Sequence, residues 1–543
     1  MAVPGEPRWS IPELLADRVG RHPDRPFVRV GDSSLTYRGT ADRAEAVATG
    51  LGAVGVQPGD RVAIISASRI EVVELMFACA RSGVVQVPLN TFLKGEFLRY
   101  QLLDCRADTV VVDGPGLESV RAVAAELPDL RRVILLDREP DAPALPGVEQ
   151  IAYSDLPTGP PVEFPTPRPG DLFSLLYTSG TTGMPKGCML SHAYFLQVGR
   201  AWGEDLCGFT SEDVIYTTLP LSHLSGQSQA VMNALNLGAS VVIDPVFSAS
   251  TFFARATEVG ATVSLGVGAM AHALAARPPS EADRAHSLRF CSFTPLPSAL
   301  QLAFEERFGV EVSQLGYGQT ECAPISYDTR NGARDGVRDR DSVGRPSPWL
   351  EVRLVDSEDV PVPAGETGEI VVRPLAPDRM FDGYWGKPEA TVEAFRNLWH
   401  HTGDVGRIDE RGLLHFVDRK KDAMRRRGEN VSSIELEAAI LRHPRVAEVA
   451  VHAVASRATE DDIKACIVLS VPGEPVAPEE LFGFFRDTLP YFAVPRYVEF
   501  VPALPRNAMG RVLKHELRAN PLGPGTVDFE ALGLTITADR RRV

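Results

Sequence analysis

A chain of 543 residues is longer than one hydrophobic core usually organises, so at least two domains are expected. Hydrophobic residues make up 44% and charged residues 23%, close to the soluble average, and no apolar run approaches the roughly 18 residues that cross a bilayer. The net charge of -15 repels phosphate backbones at long range and disfavours nucleic acid as a partner, while leaving room for a local basic pocket.

The N-terminal stretch MAVPGEPRWSIPELLADRV lacks a basic patch followed by an apolar core, so no secretory signal is expected and the cytoplasm is the default. Cysteines at 79, 105, 188, 207, 291, 322 and 466 are scattered and form no C-x-x-C pair. That spacing argues against a disulfide framework and against a zinc site, and predicts reduced thiols.

Apolar spacing predicts a helix over 11–19, a short strand over 27–30 and a second helix over 41–54. A strand over 61–66, an amphipathic helix over 71–81 and a strand over 84–87 set a β-α-β rhythm. It continues through strands at 109–112 and 133–136, the pattern of a parallel sheet. Residues 137–170 are rich in proline and acid and read as a surface excursion. A buried strand follows at 172–177, and 188–190 opens another apolar element. From 210 onward the alternation resumes, with strands at 214–217, 240–243 and 263–265 and helices at 227–237 and 251–259.

Near 420 the character shifts to DRKKDAMRRRGENVSS, a strongly basic turn. Beyond it lie a predicted helix over 434–442, strands over 448–454 and 464–469, a helix over 478–489 and a strand around 497–501. The expected architecture is α/β: a large N-terminal body with parallel-rich sheets and helices over 1–419, a small α+β C-terminal domain over 420–520, and a loosely held tail over 521–543. No internal repeat is found.

The stretch DLFSLLYTSGTTGMPKGCMLSH, residues 171–192, hangs a turn over 178–187 between two apolar elements. Gly180, Gly183 and Gly187 let backbone amides approach an anion, Thr178, Ser179, Thr181 and Thr182 add hydroxyls, and Lys186 adds a positive charge. The composition suits a nucleotide triphosphate; a plain Gly/Ser/Thr linker is the alternative, and a linker rarely sets one lysine among so many hydroxyls after a buried strand. It is not a Walker loop, because Gly187 follows Lys186 where that pattern requires Ser or Thr.

With four further stretches, GYGQTE, HTGDVGRID, LPLSHLSGQ and DRKKDAMRRRGENVSSIELE, the chain resembles the adenylate-forming superfamily of acyl-CoA synthetases, luciferases and peptide-synthetase adenylation domains. Within it the chain is most similar to carnitine/crotonobetaine-type acyl-CoA ligases. The similarity runs from about residue 10 to 519. It implies a two-step reaction: a small acid attacks the α-phosphate of ATP to give an acyl-adenylate and pyrophosphate, then a mobile small domain rotates and a thiol, usually coenzyme A, takes the acyl group.

On that resemblance Tyr317 stacks on the purine, Thr320 donates to a phosphate, and Glu321 holds magnesium together with Thr181. Asp404 and Arg419 match the ribose-binding pair, although an Asp in a T-G-D turn is often only a turn-former. Lys421 falls at the hinge, and Gly428, Glu429 and Asn430 match the loop beside the thiol tunnel. His223, with Gly266, Gly268 and Met270, matches the acyl pocket; a lone histidine is more often packed than catalytic, and the glycines suggest room for a ring or branched chain.

Two departures stand out. Ser292, Phe293, Thr294 and Pro295 occupy the place of a glycine-rich adenine stretch, as in carnitine-type ligases. In LPRNAMGRVLKHEL the position of the adenylation lysine is Arg511, a planar fork in place of a compact point charge. Three readings stay open: Arg511 does the job, Lys514 reaches in, or the first step takes an atypical acid. The rival functions are a carboxylate-CoA ligase, an adenylating enzyme that activates nitrite for diazotisation or uses an amine or carrier protein as acceptor, and a nucleotide-binding pseudoenzyme, the last motivated by Arg511. A homodimer is compatible with any of them.

Overall fold

Runs such as VAII and TVVV carry no polar alternation because their strands are covered on both faces, which is the signature of parallel sheet. The computed structural model describes residues 9–93, 95–137, 144–160, 162–178, 184–313, 316–328, 339–419, 424–426, 429–431, 433–455, 461–471, 476–489, 493–506 and 512–536. It divides into two units: Met1–Val352, Val371–His400 and Glu410–His415 form the first, and Arg353–Ile370, His401–Asp409 and Phe416–Val543 the second. The smaller unit thus takes in two stretches upstream of the expected boundary. They are bonded to each other, Gly365 N–H to the Ile408 carbonyl at 2.9 Å and Thr402 Oγ1 to the Ile370 carbonyl at 2.7 Å.

The large unit holds two seven-stranded sheets. In one, the strands run in the order Glu311–Ser313, Phe290–Thr294, Val263–Val267, Val214–Thr217, Ser240–Ile243, Pro26–Val30 and Ser33–Thr36; every pair is parallel except the last. In the other the order is Glu149–Ala152, Arg132–Leu135, Thr109–Val112, Arg61–Ile65, Val85–Pro88, Leu172–Thr178 and Lys186–Ser191, again parallel until the last pair. The α/β expectation is met.

Helices close the sheets. Leu98 and Leu102 of Gly95–Cys105 and Leu117 and Val120 of Gly114–Arg121 pack with Val85, Val110 and Val133. The helix Ile70–Ser82 stops where Gly83 turns left-handed, φ +69°, and returns its N–H to the Cys79 carbonyl. No helix among the described residues is long and apolar enough to cross a membrane, and all seven cysteines are buried.

Two segments differ from their sequence reading. The proline-rich excursion contributes the edge strand Glu149–Ala152, and Tyr153 after it is anchored by donating to the buried Glu74, itself gripped by both arms of Arg43. The expected loose tail contributes Thr526–Asp528, paired with Tyr497–Phe500, and buries Phe529 against Phe482 and Phe485. A three-residue strand carries too few positions to show a period.

In the small unit, strands Val446–Ala455, Asp461–Leu469, Tyr497–Phe500 and Thr526–Asp528 form a mixed sheet in that order. Helices Ser433–Ile440 and Pro478–Thr488 contribute Leu436, Ile440, Leu481 and Phe485 to its core.

Candidate adenylation site

The phosphate-loop stretch is a β-hairpin. Leu172–Thr178 pairs antiparallel with Lys186–Ser191, with Thr178 opposite Lys186, so the turn leaves from a paired base. Ser179, Gly180, Thr181, Thr182 and Gly183 lie outside the described residues. Gly187 has a packing reason beside the expected one: a Cβ there would lie 3.3 Å from the Tyr177 ring, whose hydroxyl donates to Asp104 Oδ2 at 2.8 Å. The chain leaves the hairpin through the helix His192–Arg200, where Ser191 Oγ accepts the Tyr194 N–H at 3.2 Å.

Glu321 sits in the turn between the antiparallel strands Gly316–Gln319 and Cys322–Tyr327, and only 9% of it is exposed. Gly316 at the start of this element is pressed onto the π-helix Ala201–Leu206: a Cβ would stand 2.9 Å from Leu206 and 3.1 Å from Trp202. Glu321 Oε1 accepts from Thr178 Oγ1 at 3.4 Å and from the Tyr384 hydroxyl at 3.0 Å. Lys186 Nζ stands 4.4 Å from the centroid of the same Tyr384 ring, within the range of a cation–π contact. Tyr384 is the functional candidate the sequence reading passed over. Burial, reinforced by Glu321, pushes its phenol well above the ordinary value, so it remains a donor.

A strap places Tyr384. Met189 N–H donates to the Gly383 carbonyl at 3.0 Å, Asp382 N–H to Met189 at 2.9 Å and Trp385 N–H to Gly187 at 2.9 Å, while Phe381 N–H reaches the Glu321 carbonyl at 2.8 Å. One short segment therefore ties the hairpin to the turn bearing the carboxylate. Its signal in the sequence is FDGYWGKP, a turn dense in glycine and aromatics. Thr320 offers its carbonyl to the Tyr194 hydroxyl at 3.0 Å, and Tyr317 is half-buried in its strand.

The acid-side residues behave differently. His223 precedes the π-helix Ser225–Met232; its Nε2 is buried with no hydrogen-bond partner among the described residues, and burial lowers its pKa, which favours the neutral ring. The room expected at the glycines is occupied. A Cβ at Gly266 would lie 2.6 Å from Phe293 Cε1 and 2.9 Å from Met270 Sδ, and one at Gly268 only 1.8 Å from the Pro295 carbonyl oxygen. Both glycines let the neighbouring chain close in along their own Cβ directions.

In the small unit Asp404 is 1% exposed, and its N–H donates to Thr402 Oγ1 at 3.1 Å. Just before it, Gly403 takes φ +67° and donates to the buried Glu369 Oε1 at 3.3 Å. Arg419 closes the strand Leu414–Arg419, and Glu429 and Asn430 belong to the strand Glu429–Val431 of a hairpin. Lys421, Gly428 and Arg511 lie outside the described residues. Lys514 is engaged within its own unit: Nζ donates to Ser433 Oγ at 2.5 Å and pairs with Glu437 Oε1 at 2.8 Å. Ser433 in turn gives its N–H and hydroxyl to Asp418 Oδ2, each at 2.7 Å.

A hairpin bearing a lysine, with a buried carboxylate, in a large α/β unit that a small α+β unit follows in sequence, is a frame suited to a nucleotide-handling enzyme. The AMP-binding enzyme family matches residues 15–385 and the AMP-binding enzyme C-terminal domain matches 435–511, so the chain belongs to that family of AMP-forming ligases. It is 33% identical to a crotonobetaine/carnitine–CoA ligase of Salmonella arizonae over 86% of this chain and 89% of the relative. It is 34% identical to a feruloyl-CoA synthase of an Amycolatopsis species over 92% and 97%. Among solved structures, the anthranilate CoA ligase AuaEII in complex with anthranoyl-AMP superposes with a TM-score of 0.84 at 26% identity, covering 96% of this chain and 98% of the other.

Proposed function

We propose that the protein activates a small aryl, branched or carnitine-like carboxylic acid with ATP and then hands the acyl group to coenzyme A in the cytoplasm. The observation that carries this reading is the cluster of Thr178, Lys186, Glu321 and Tyr384, in a chain similar along most of its length to acyl-CoA ligases.

In the first step a carboxylate oxygen of the acid bonds to the α-phosphorus, the bond to the bridging oxygen breaks, and pyrophosphate leaves with the electron pair. Lys186, with Ser179, Thr181 and Thr182, holds the departing pyrophosphate by charge and hydroxyl donors. Asp404 and Arg419 take the ribose hydroxyls, and Tyr317 takes the purine face. A carboxylate beside the Thr178 hydroxyl suits a hard, oxygen-seeking cation, so Glu321, with Thr181 of the loop as the resemblance implies, would hold magnesium, which supplies charge neutralisation on the phosphates. In the second step the small domain turns about Lys421, and the thiol enters past 428–430. Its sulfur bonds to the acyl carbon as the carbon–oxygen bond to AMP breaks, and the thiol proton goes to solvent.

The tie of Lys514 to Glu437 and Ser433 supports Arg511 as the charge at the carboxylate and α-phosphate. Arg511→Ala is then expected to remove adenylation, whereas Lys514→Ala mainly loosens the small unit by leaving Glu437, whose pKa burial raises, without its cation. The reverse order would transfer the role to Lys514. A second reading, nitrite activation for diazotisation or transfer to an amine or carrier protein, is favoured by one observation: Arg511 in place of lysine.

The test is pyrophosphate release with ATP, magnesium and a panel of acids including nitrite, with and without coenzyme A. Acyl-CoA formed from an organic acid supports the first reading. Turnover confined to nitrite with an aryl amine supports the second, and nucleotide binding without any turnover leaves a pseudoenzyme.

A further inference from the structure

Lys186 and Glu321 carry opposite charges on either side of one tyrosine, yet they are not paired with each other. Among the described residues Lys186 has no carboxylate partner and Glu321 no cationic one; each is held instead by Tyr384, the lysine 4.4 Å from the ring centroid and the carboxylate 3.0 Å from the hydroxyl. Tyr384 is itself 7% exposed and fixed at both sides by the backbone strap to Met189 and Gly187. A direct ion pair between Lys186 and Glu321 would neutralise the two groups that a nucleotide triphosphate and its cation need. The ring takes the cation on its electron-rich face and the phenol donates to the anion, so each group is oriented while its charge stays available.

We propose that Tyr384 is a positioning residue of the adenylation site, a spacer that keeps Lys186 and Glu321 apart and aimed until the magnesium complex of ATP takes both. This rests on the adenylation reading above and adds a residue that acts through two others. Both contacts of Tyr384 are weaker than the interactions of a lysine with phosphate or a carboxylate with a divalent cation, so the hold yields when the ligand arrives.

The two contacts separate by substitution. Tyr384→Phe keeps the ring and loses the hydroxyl, and Tyr384→Leu loses both. The readout is ATP binding by calorimetry on the full chain at increasing magnesium, with neither acid nor coenzyme A, and a thermal scan of each variant. In Y384F the magnesium concentration for half-maximal ATP binding is expected to rise about tenfold, with affinity at saturating magnesium little changed. In Y384L affinity at saturating magnesium falls by about a further fivefold, because Lys186 has lost its seat.

If Y384L does not fold, a double-mutant cycle decides the matter: in a Glu321→Ala background Y384F shifts nothing further if the hydroxyl acts through that carboxylate. A magnesium dependence of Y384F equal to wild type, or additive effects in the cycle, overturns the proposal, as does a wild type that binds no magnesium–ATP. Because binding is read without turnover, an enzyme that binds ATP but adenylates no acid would sink the ligase reading and leave this test standing.

Discussion

The Lys186–Glu321 cluster and the residues expected at the acyl pocket are built on opposite plans. At Lys186 and Glu321 one side chain, Tyr384, meets both charged groups, and a backbone strap with four hydrogen bonds holds its segment. Among the residues expected to line the acyl pocket, Gly266 and Gly268 are closed on by Phe293, Met270 and the Pro295 carbonyl, and His223 Nε2 has no hydrogen-bond partner among the described residues. The difference separates what is common to the reaction from what is particular to this protein. On the function proposed above ATP serves every acid alike, so its groups can be fixed in advance, and His223 Nε2 is the candidate contact for the acid.

The largest expected effect tests the fixed side. Lys186→Ala should cut pyrophosphate release roughly 100- to 1,000-fold, the usual cost of one well-placed charge-stabilising group. The loss should be the same for every acid accepted. A loss that varied from acid to acid would show that Lys186 serves both sides and would break the comparison.

Next come the glycines. At Gly268 an added Cβ meets a backbone carbonyl at 1.8 Å, whereas at Gly266 it meets the side chains of Phe293 and Met270. Side chains can shift and backbone cannot, so Gly268→Ala should reach or exceed the upper end of the ~1–3 kcal/mol that overpacking costs, and Gly266→Ala the lower end. Denaturant unfolding of the two variants checks the order. Equal losses would mean that the Pro295 segment gives way as easily as a side chain.

A pH series probes the support behind the hairpin. His192 is 1% exposed, stacks near Phe173, and its Nδ1 accepts the Ile11 N–H at 3.4 Å. Burial lowers its pKa from 6.5 to about 4, with Asp171 and Glu13 opposing. A depressed value means the unfolded chain protonates first. The stability held above about 6.5 is therefore lost progressively as the pH falls to about 4, by up to ~3 kcal/mol. His192→Gln should flatten that slope for the large unit, measured as urea midpoint against pH, while His452, lowered to about 4 in the small unit, keeps its own. An unchanged slope would mean the unfolded chain does not take up this proton.

Much of this was legible beforehand for a physical reason. Strands such as Thr109–Val112 and Val214–Thr217 carry their burial in their own residues, and their bounds match the apolar runs. The division into two seven-stranded sheets was not legible, because strand order depends on which distant runs pair, as when Pro26–Val30 joins Ser240–Ile243. In the candidate site, Lys186 is singled out by its place among hydroxyls and glycines and Glu321 by the GYGQTE motif, and the structure brings both to Tyr384. Tyr384 is not singled out, since its strap has no period of its own and takes its shape from the strand Lys186–Ser191. At Gly266 and Gly268 the sequence records the missing side chain and not the neighbour that stands beside it.

The smallest effect is the most specific to the acid. Among the described residues His223 Nε2 is buried without a hydrogen-bond partner, and on the proposed function a polar group of the acid would supply that bond. An acid with a polar substituent would supply it and an unsubstituted analogue would not. His223→Phe keeps a flat ring and removes the nitrogen, so KM for a polar-substituted acid should rise about tenfold relative to its unsubstituted analogue, while KM for ATP stays put. Burial already holds the imidazole neutral, so this ratio should be level between about pH 6.5 and 8. An equal change for both acids would assign His223 to packing. A ratio that fell away with rising pH would mean that the protonated ring, and not the neutral one, meets the substrate.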